Sequence, residues 1–268
     1  KMAPGLWGPW ITEDAAGWNG DYTLNYNFQA IYYGVFSDNR PDLALPYFPI
    51  IEQMTELGKW RVDSDWLPDV GKCSVPGGFT NYFGQWPDVD GRHPTPRGPN
   101  TAGSATTLLK GINFPGHFSA FPELYYPNDM GQRSDAAFAG MHFIKYFDAT
   151  QNVSFLRTRA YPYLRLVADF YESYLQENNV TGALDVLNSC AMENCGAQGL
   201  GEGEASNNPP FDLGFLRTIL RKLVSYSEIL GVDSDQRVKW TSIQERLAAF
   251  PTTLDPSSNK SVLNQQEA

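Results

Sequence analysis

Apolar residues recur at helical spacing in six segments of this chain, and the segments come in pairs. The clearest stripe is Ala160, Leu164, Val167, Tyr171 and Tyr174, steps of three and four residues within a predicted helix over about 153–177. Similar patterns predict helices over about 22–36, 43–60, 134–148, 212–230 and 235–250. Gly231 stands just past the fifth as a C-cap would, Pro251 closes the sixth, and Pro46 and Pro49 push the true start of the second later. An amphipathic helix must bury its stripe against another, so short turns between such segments predict successive helical hairpins, over 22–60, 134–177 and 212–250. Leu164, Val167, Tyr171, Leu216, Leu220 and Leu223 are then core residues. Strand signals are sparse, the best being Ala183 to Leu187. The fold class expected is all-α, one unit over 1–268. It is interrupted by a stretch over 66–130 so rich in Gly, Pro and aromatics that it reads as an ordered, functional loop.

Composition narrows the chemistry. A net charge of −10 removes nucleic-acid backbones as partners, because they need a basic face. No run of eighteen apolar residues spans a membrane. With three cysteines, Cys73, Cys190 and Cys195, there is neither a disulfide scaffold nor a zinc-ligand spacing, so no metal and no cofactor are expected. Cys190 and Cys195 could close a small loop, or all three could be unpaired thiols. Three Asn-x-Ser/Thr sequons, at Asn152, Asn179 and Asn259, fall at loops or helix ends. Together with the low cysteine count they predict a secreted, extracellular glycoprotein of the eukaryotic secretory pathway. Aromatics at 14% are unusually many, and their rings either fill the core and loops or stack on the apolar faces of sugar rings.

Three segments carry candidate chemistry. The first is Trp18-Asn19-Gly20-Asp21-Tyr22-Thr23-Leu24-Asn25-Tyr26-Asn27-Phe28-Gln29, where Asn25 and Asn27 converge only if the helix begins near them; the plainer alternative makes Asp21 or Asn25 an N-cap. The second, Asn188-Ser189-Cys190-Ala191-Met192-Glu193-Asn194-Cys195, offers Glu193 either as a partly desolvated acid with a raised pKa or as an exposed loop residue. Gly201-Glu202-Gly203-Glu204 reads as a solvated acidic loop. Only three histidines occur, which removes Ser-His-Asp and Cys-His mechanisms. His142 reads as a packed or capping residue, whereas His93 and His117, in the long loop, could line a groove. Carboxylates, amides and aromatics remain, a set suited to sugars.

The first segment resembles the opening of the catalytic barrel in glycoside hydrolase family 95, a family of α-L-fucosidases and some α-L-galactosidases. Phe155-Leu156-Arg157, Ala160-Tyr161-Pro162-Tyr163-Leu164, Ser189-Cys190-Ala191-Met192-Glu193-Asn194, Asp212-Leu213-Gly214-Phe215-Leu216-Arg217 and Ser227-Glu228-Ile229-Leu230-Gly231 resemble later blocks of the family, in order. The resemblance implies an (α/α)6-barrel, of which six helices make about half. It also implies that the remainder of the same polypeptide or assembly completes the toroid. It implies inverting hydrolysis of a terminal α-linked fucose or similar sugar from an oligosaccharide or glycan substrate. Glu193 would be the acid, and Asn25 and Asn27 would hold the water, assisted by an Asp beyond Ala268. Trp18, Asp21, Trp86 and His117 are the candidate substrate contacts. Ala191-Met192 departs from the family's Ser-Pro before the acid, and the 66–130 stretch matches the family poorly. A catalytically inactive barrel, serving as a carbohydrate-binding or structural surface glycoprotein, is therefore the alternative. A sugar phosphorylase would need a basic phosphate pocket, for which only Arg92 and Arg97 offer themselves.

Overall fold

The computed structural model describes residues 3–6, 8, 10, 14, 17–63, 109–118, 132–187, 189, 207–255, 257, 258 and 260–263. Among these the fold is mostly helical. Its helices are α1 (Asn27–Ala30), α2 (Tyr33–Ser37), α3 (Tyr47–Asp63), α4 (Asp135–Thr150), α5 (Val153–Phe155), α6 (Tyr161–Tyr174), α7 (Pro210–Leu230) and α8 (Ser234–Arg246). Three two-stranded antiparallel ribbons accompany them: β1 (Tyr22–Thr23) with β2 (His117–Phe118), β3 (Gln176–Glu177) with β4 (Leu184–Asp185), and β5 (Thr252–Asp255) with β6 (Lys260–Leu263).

The core is organised around α4. Eleven of its sixteen residues are buried, including residues all around its circumference, so it is an inner helix covered by its neighbours. Tyr47 of α3 donates to the carbonyl of Ala139 at 3.0 Å and Tyr163 of α6 to that of Ala136 at 2.8 Å, tying both neighbours to α4. Gly140 permits the close approach of α6, because a β-carbon there would sit 3.0 Å from a Leu164 methyl. Helix α7 packs on α4 and α6, and all six predicted core residues on α6 and α7 are buried. The outer layer is α8, whose one wholly buried side chain among those described is Trp240.

Several element boundaries differ from the sequence expectation, each for a local reason. The predicted helix over 22–36 is divided. Tyr22 and Thr23 pair with Phe118 and His117, and only then do α1 and α2 form. Neither Asp21 nor Asn25 caps α1; its N-cap is Tyr26, with no side-chain cap bond. Pro41–Ala44 forms a 3-10 turn, which delays α3 to Tyr47. The predicted helix over 153–177 is α5 and α6 joined by a π-helical turn at Leu156–Ala160, ahead of Pro162, whose missing N–H interrupts regular bonding. Gln151, in the left-handed region at φ 53°, ends α4, and the Asn152 side chain then caps α5 by accepting from the Phe155 N–H at 3.0 Å. Gly231, at φ 69°, closes α7 as expected. Helix α8 ends four residues early, because the Arg217 guanidinium donates to the carbonyls of Gln244, Leu247 and Ala248 and draws the chain off the helix axis. The β5–β6 ribbon that follows was not expected.

One connection positions the candidate site. Residues 109–118 run back across α3 and α6: the Asn113 N–H donates to the Gly58 carbonyl at 3.3 Å, and the Ile112 N–H to that of Leu166 at 3.2 Å. Gly111 makes the second crossing possible, because any β-carbon there would meet the Leu166 oxygen at 2.1 Å. The strand pair β1–β2 follows directly.

Candidate active site

Two buried polar clusters lie among these elements. The first is built on β1–β2. Asp21 receives the Thr23 hydroxyl at 2.9 Å on one carboxylate oxygen and meets His117 Nδ1 at 3.0 Å with the other. All three residues are at most 6% exposed. An ionised carboxylate can only accept, so this contact holds the imidazole proton on Nδ1. Two residues chosen separately from the sequence, 96 positions apart, are thus partners. The Leu24 N–H donates to the Gly116 carbonyl, extending the joint towards α1, and the Gln29 amide donates to the Leu24 carbonyl at 2.5 Å. The turn carrying the two asparagines is therefore held from both sides.

Asn25 and Asn27 differ sharply in surroundings. Asn25 is 1% exposed, whereas Asn27 opens α1 at the surface. A pocket of about 250 Å³ begins there, with Gly5, Leu6, Thr23, Tyr26, Asn27 and Ile31 among its walls. It is smaller than the ~300–1,000 Å³ typical of drug-sized ligands, so it suits a single small ring. Tyr26 and Ile31, about half exposed, give it an apolar rim.

The second cluster joins the entries of α4 and α7. Asp212, in the first turn of α7, is fully buried. Tyr171 of α6 donates to one of its oxygens at 2.7 Å, and the Ser189 hydroxyl to the other at 2.8 Å. Ser189 Oγ in turn accepts the Arg133 N–H at 3.2 Å. Burial pushes the Asp212 carboxyl up to about 6, against the opposing pull of Tyr171, Ser189 and the Arg133 charge. Burial also lifts the Tyr171 hydroxyl well above its usual range, and the Asp212 charge adds to that rise. Both Asp212 oxygens are occupied, so this carboxylate supports its neighbours rather than meeting a substrate.

The remaining sequence candidates divide plainly. Glu193, Trp86, Asn259, Cys73, Cys190, Cys195, His93, Arg92, Arg97 and Glu202 and Glu204 lie outside the described residues. Trp18 lies in the 3-10 turn Gly17–Gly20, just before Asp21. Asn152 and Asn179 are exposed, the latter at the tip of the β3–β4 ribbon. His142 is a packed residue, stacked on Tyr47 at 4.6 Å and on Tyr33 at 5.7 Å; burial drives its pKa down to about 3, so it stays neutral. No cluster of three potential metal ligands occurs among the described residues, and none of the described helices is long and apolar enough to cross a membrane.

Sequence reading missed the Arg133–Ser189–Asp212 cluster. In the sequence Ser189 stands out only as a neighbour of Glu193, and Asp212 only as a helix start. No local spacing joins residues so far apart in the chain. The one available signal was an acid at the start of a predicted helix beside apolar residues.

No curated protein matches the chain. Residues 125–256 match the family model of the glycosyl hydrolase family 95 catalytic domain, a stretch that runs from before α4 into β5 and begins after the Asp21–His117 joint. Over residues 125–256, a span that includes Arg133, Ser189 and Asp212, the chain is similar to the glycosyl hydrolase family 95 catalytic domain.

Proposed function

We propose that this protein is an inverting exo-glycosidase that removes a terminal α-linked fucose, or a similar sugar, from glycans. The observation that carries the reading is Asn27 at the mouth of a small pocket, on a turn braced by Asp21, Thr23 and His117, in a chain whose residues 125–256 match the glycosyl hydrolase family 95 catalytic domain model. In this reading Glu193 gives its proton to the leaving oxygen as the glycosidic bond breaks. A water held by the side-chain amides of Asn25 and Asn27 forms the new bond from the opposite face, and its proton passes to a carboxylate later in the barrel. Asp21 and His117 keep the turn in place, and Trp18 and Trp86 supply stacking surfaces for the sugar. The six helical segments make about half of an (α/α)6 toroid, and the same polypeptide or assembly supplies the rest. The protein enters the secretory pathway and carries glycans at Asn152, Asn179 or Asn259.

A second reading, a carbohydrate-binding barrel without turnover, draws support from the burial of Asn25, which at 1% exposure offers little of its amide to a water. Hydrolysis of an α-fucoside, followed by NMR of the first-formed anomer, decides between them. The enzyme reading expects the inverted β-anomer, and Glu193→Gln lowers the rate by ~10²–10⁴. A retained anomer or an unaffected Glu193→Gln rate removes the mechanism. Sugar binding without any hydrolysis, weakened by Asn27→Ala, establishes the second reading.

A further inference from the structure

The pocket beside Asn27 has room for one small ring, so a glycan that enters it leaves its next sugar at the rim. Leu6 forms part of the wall and is pinned there, its N–H donating to the Asp21 carbonyl at 2.7 Å. Tyr26 and Ile31 make the rim, each about half exposed. Tyr26 stands between the two asparagines of the turn. Leu24 and Phe28, two residues to either side, are both buried, so the course of the chain sends Tyr26 outwards.

A polar side chain would satisfy such a position, yet it carries a ring, and the ring is held. It meets Tyr33 edge to face, with centroids 6.2 Å apart and planes at 75°. Tyr33 stacks on His142 at 5.7 Å, and His142 stacks on Tyr47 at 4.6 Å. Tyr47 is anchored in the core by its bond to the Ala139 carbonyl. The Lys145 ammonium lies over the Tyr33 ring, 4.8 Å from its centroid. The backbone is fixed too, because the Ala30 N–H donates to the Tyr26 carbonyl at 3.0 Å. A file of four rings thus runs from the core to the pocket and ends in a half-exposed side chain.

Single exposed hydrophobic residues are ordinary on a protein surface. Tyr26 differs in lining a pocket and in being fixed before anything binds. A pyranose ring presents C–H groups on one face, and an aromatic face removes them from water. Tyrosine supplies that face at little conformational cost, and less still where packing has already set its ring.

We propose that Tyr26 is a specificity-determining residue: it stacks on the sugar next to the one in the pocket. The substrate class it favours is a terminal sugar attached to another pyranose ring, over a simple alkyl glycoside. The inference rests on reading the pocket beside Asn27 as the seat of the terminal sugar.

The test uses the full-length protein with two substrates: methyl α-fucoside, and a disaccharide in which α-fucose is attached to a hexopyranose. Both leaving groups are alkyl alcohols with similar demand for a proton, and only the disaccharide reaches Tyr26. Tyr26→Ala lowers kcat/KM on the disaccharide by ~5- to 30-fold, mainly through KM, because the contact is made in ground and transition states alike. On methyl α-fucoside the change stays within about twofold. Tyr26→Phe keeps the ring and most of the disaccharide activity, whereas Tyr26→Leu keeps apolar bulk without a flat face and behaves like alanine. Parallel losses on both substrates, or an undiminished disaccharide rate in Tyr26→Leu, overturn the proposal. Should Tyr26→Ala fail to fold, the leucine and phenylalanine variants decide. A parent that hydrolyses neither substrate removes the reading of the pocket and the inference with it. A parent that hydrolyses both, with no selective loss on replacing Tyr26, removes the stacking role alone.

Discussion

Replacing Gly111 by alanine tests the connection that delivers His117 to Asp21. A β-carbon on Gly111 would lie 2.1 Å from the Leu166 carbonyl oxygen and 2.5 Å from the Phe170 nitrogen, both backbone atoms inside α6. Relieving the closer contact needs a separation near 3 Å, so the connection must lift off the helix by roughly 1 Å. That shift breaks the 3.2 Å bond from the Ile112 N–H to the Leu166 carbonyl, worth about 0.5–1.5 kcal/mol. Alanine also carries a cost of about 1–2 kcal/mol at the left-handed φ of 76°. With the residual steric strain, the expected destabilisation is at least ~3 kcal/mol, a fall in Tm of roughly 6–12 °C for a chain of this size. Gly182 is the matched control: its φ is 72°, but nothing lies within 4 Å of the added β-carbon, so alanine there costs only about 1–2 kcal/mol. Thermal unfolding followed by circular dichroism compares the two. Equal Tm shifts would show that the close approach to α6 is not a constraint and would refute the reasoning.

Three further outcomes are expected. The Asp212 carboxyl titrates at about 6 when folded against 3.8 in the unfolded chain, so between those values the native state binds more protons and its stability falls as pH rises. The shift corresponds to roughly 3 kcal/mol, present below pH ~4 and lost above ~6; urea unfolding of the parent across this window should slope downward relative to Asp212→Asn, and parallel curves would contradict the assignment. Trp240→Phe removes the indole donor to Glu172 at 2.9 Å and weakens the stacking of Arg165, 5.1 Å from the ring centroid, so it should cost about 1–3 kcal/mol in denaturant titration; a cost below ~0.5 kcal/mol would mean α8 is held by other contacts. A glycan at Asn152 would attach through Nδ2 and leave Oδ1 capping α5. Ser154→Ala and Thr181→Ala, each made in protein from a secretory host, should therefore remove one mobility step apiece without altering the helical spectrum, and unchanged mobility in both would argue against modification at Asn152 and Asn179.

What could be read from the sequence follows the range of the forces involved. Helices α4, α6 and α7 declare themselves because each buries a stripe whose period is local, and Leu164, Val167, Leu216, Leu220 and Leu223 all reach the core. Tyr22 and Thr23 gave no such sign, because their strand partners stand some ninety residues away. The β5–β6 ribbon is exposed on most of its described side chains, so it lacks the alternation by which strands are recognised. The early end of α8 depends on Arg217 reaching over from another helix, which no terminal signal in α8 encodes. The sites divide in the same way. Asp21 and His117 attract notice as residue types, but their contact is long-range, and Asp212 looks locally like any acid at the start of a helix.

The bond from Asn113 to Gly58 has an evolutionary consequence. It brings the chain back to α3 within two turns of where that helix ends at Asp63, so the described residues on either side of the interval 64–108 are neighbours. The entropy of closing such an interval grows only as the logarithm of its length, so doubling it costs about 0.6 kcal/mol. Insertions and deletions in this interval are therefore nearly neutral for the helices that flank it. A lineage built on this framework can change the length of this interval while leaving every packed residue of α4, α6 and α7 untouched.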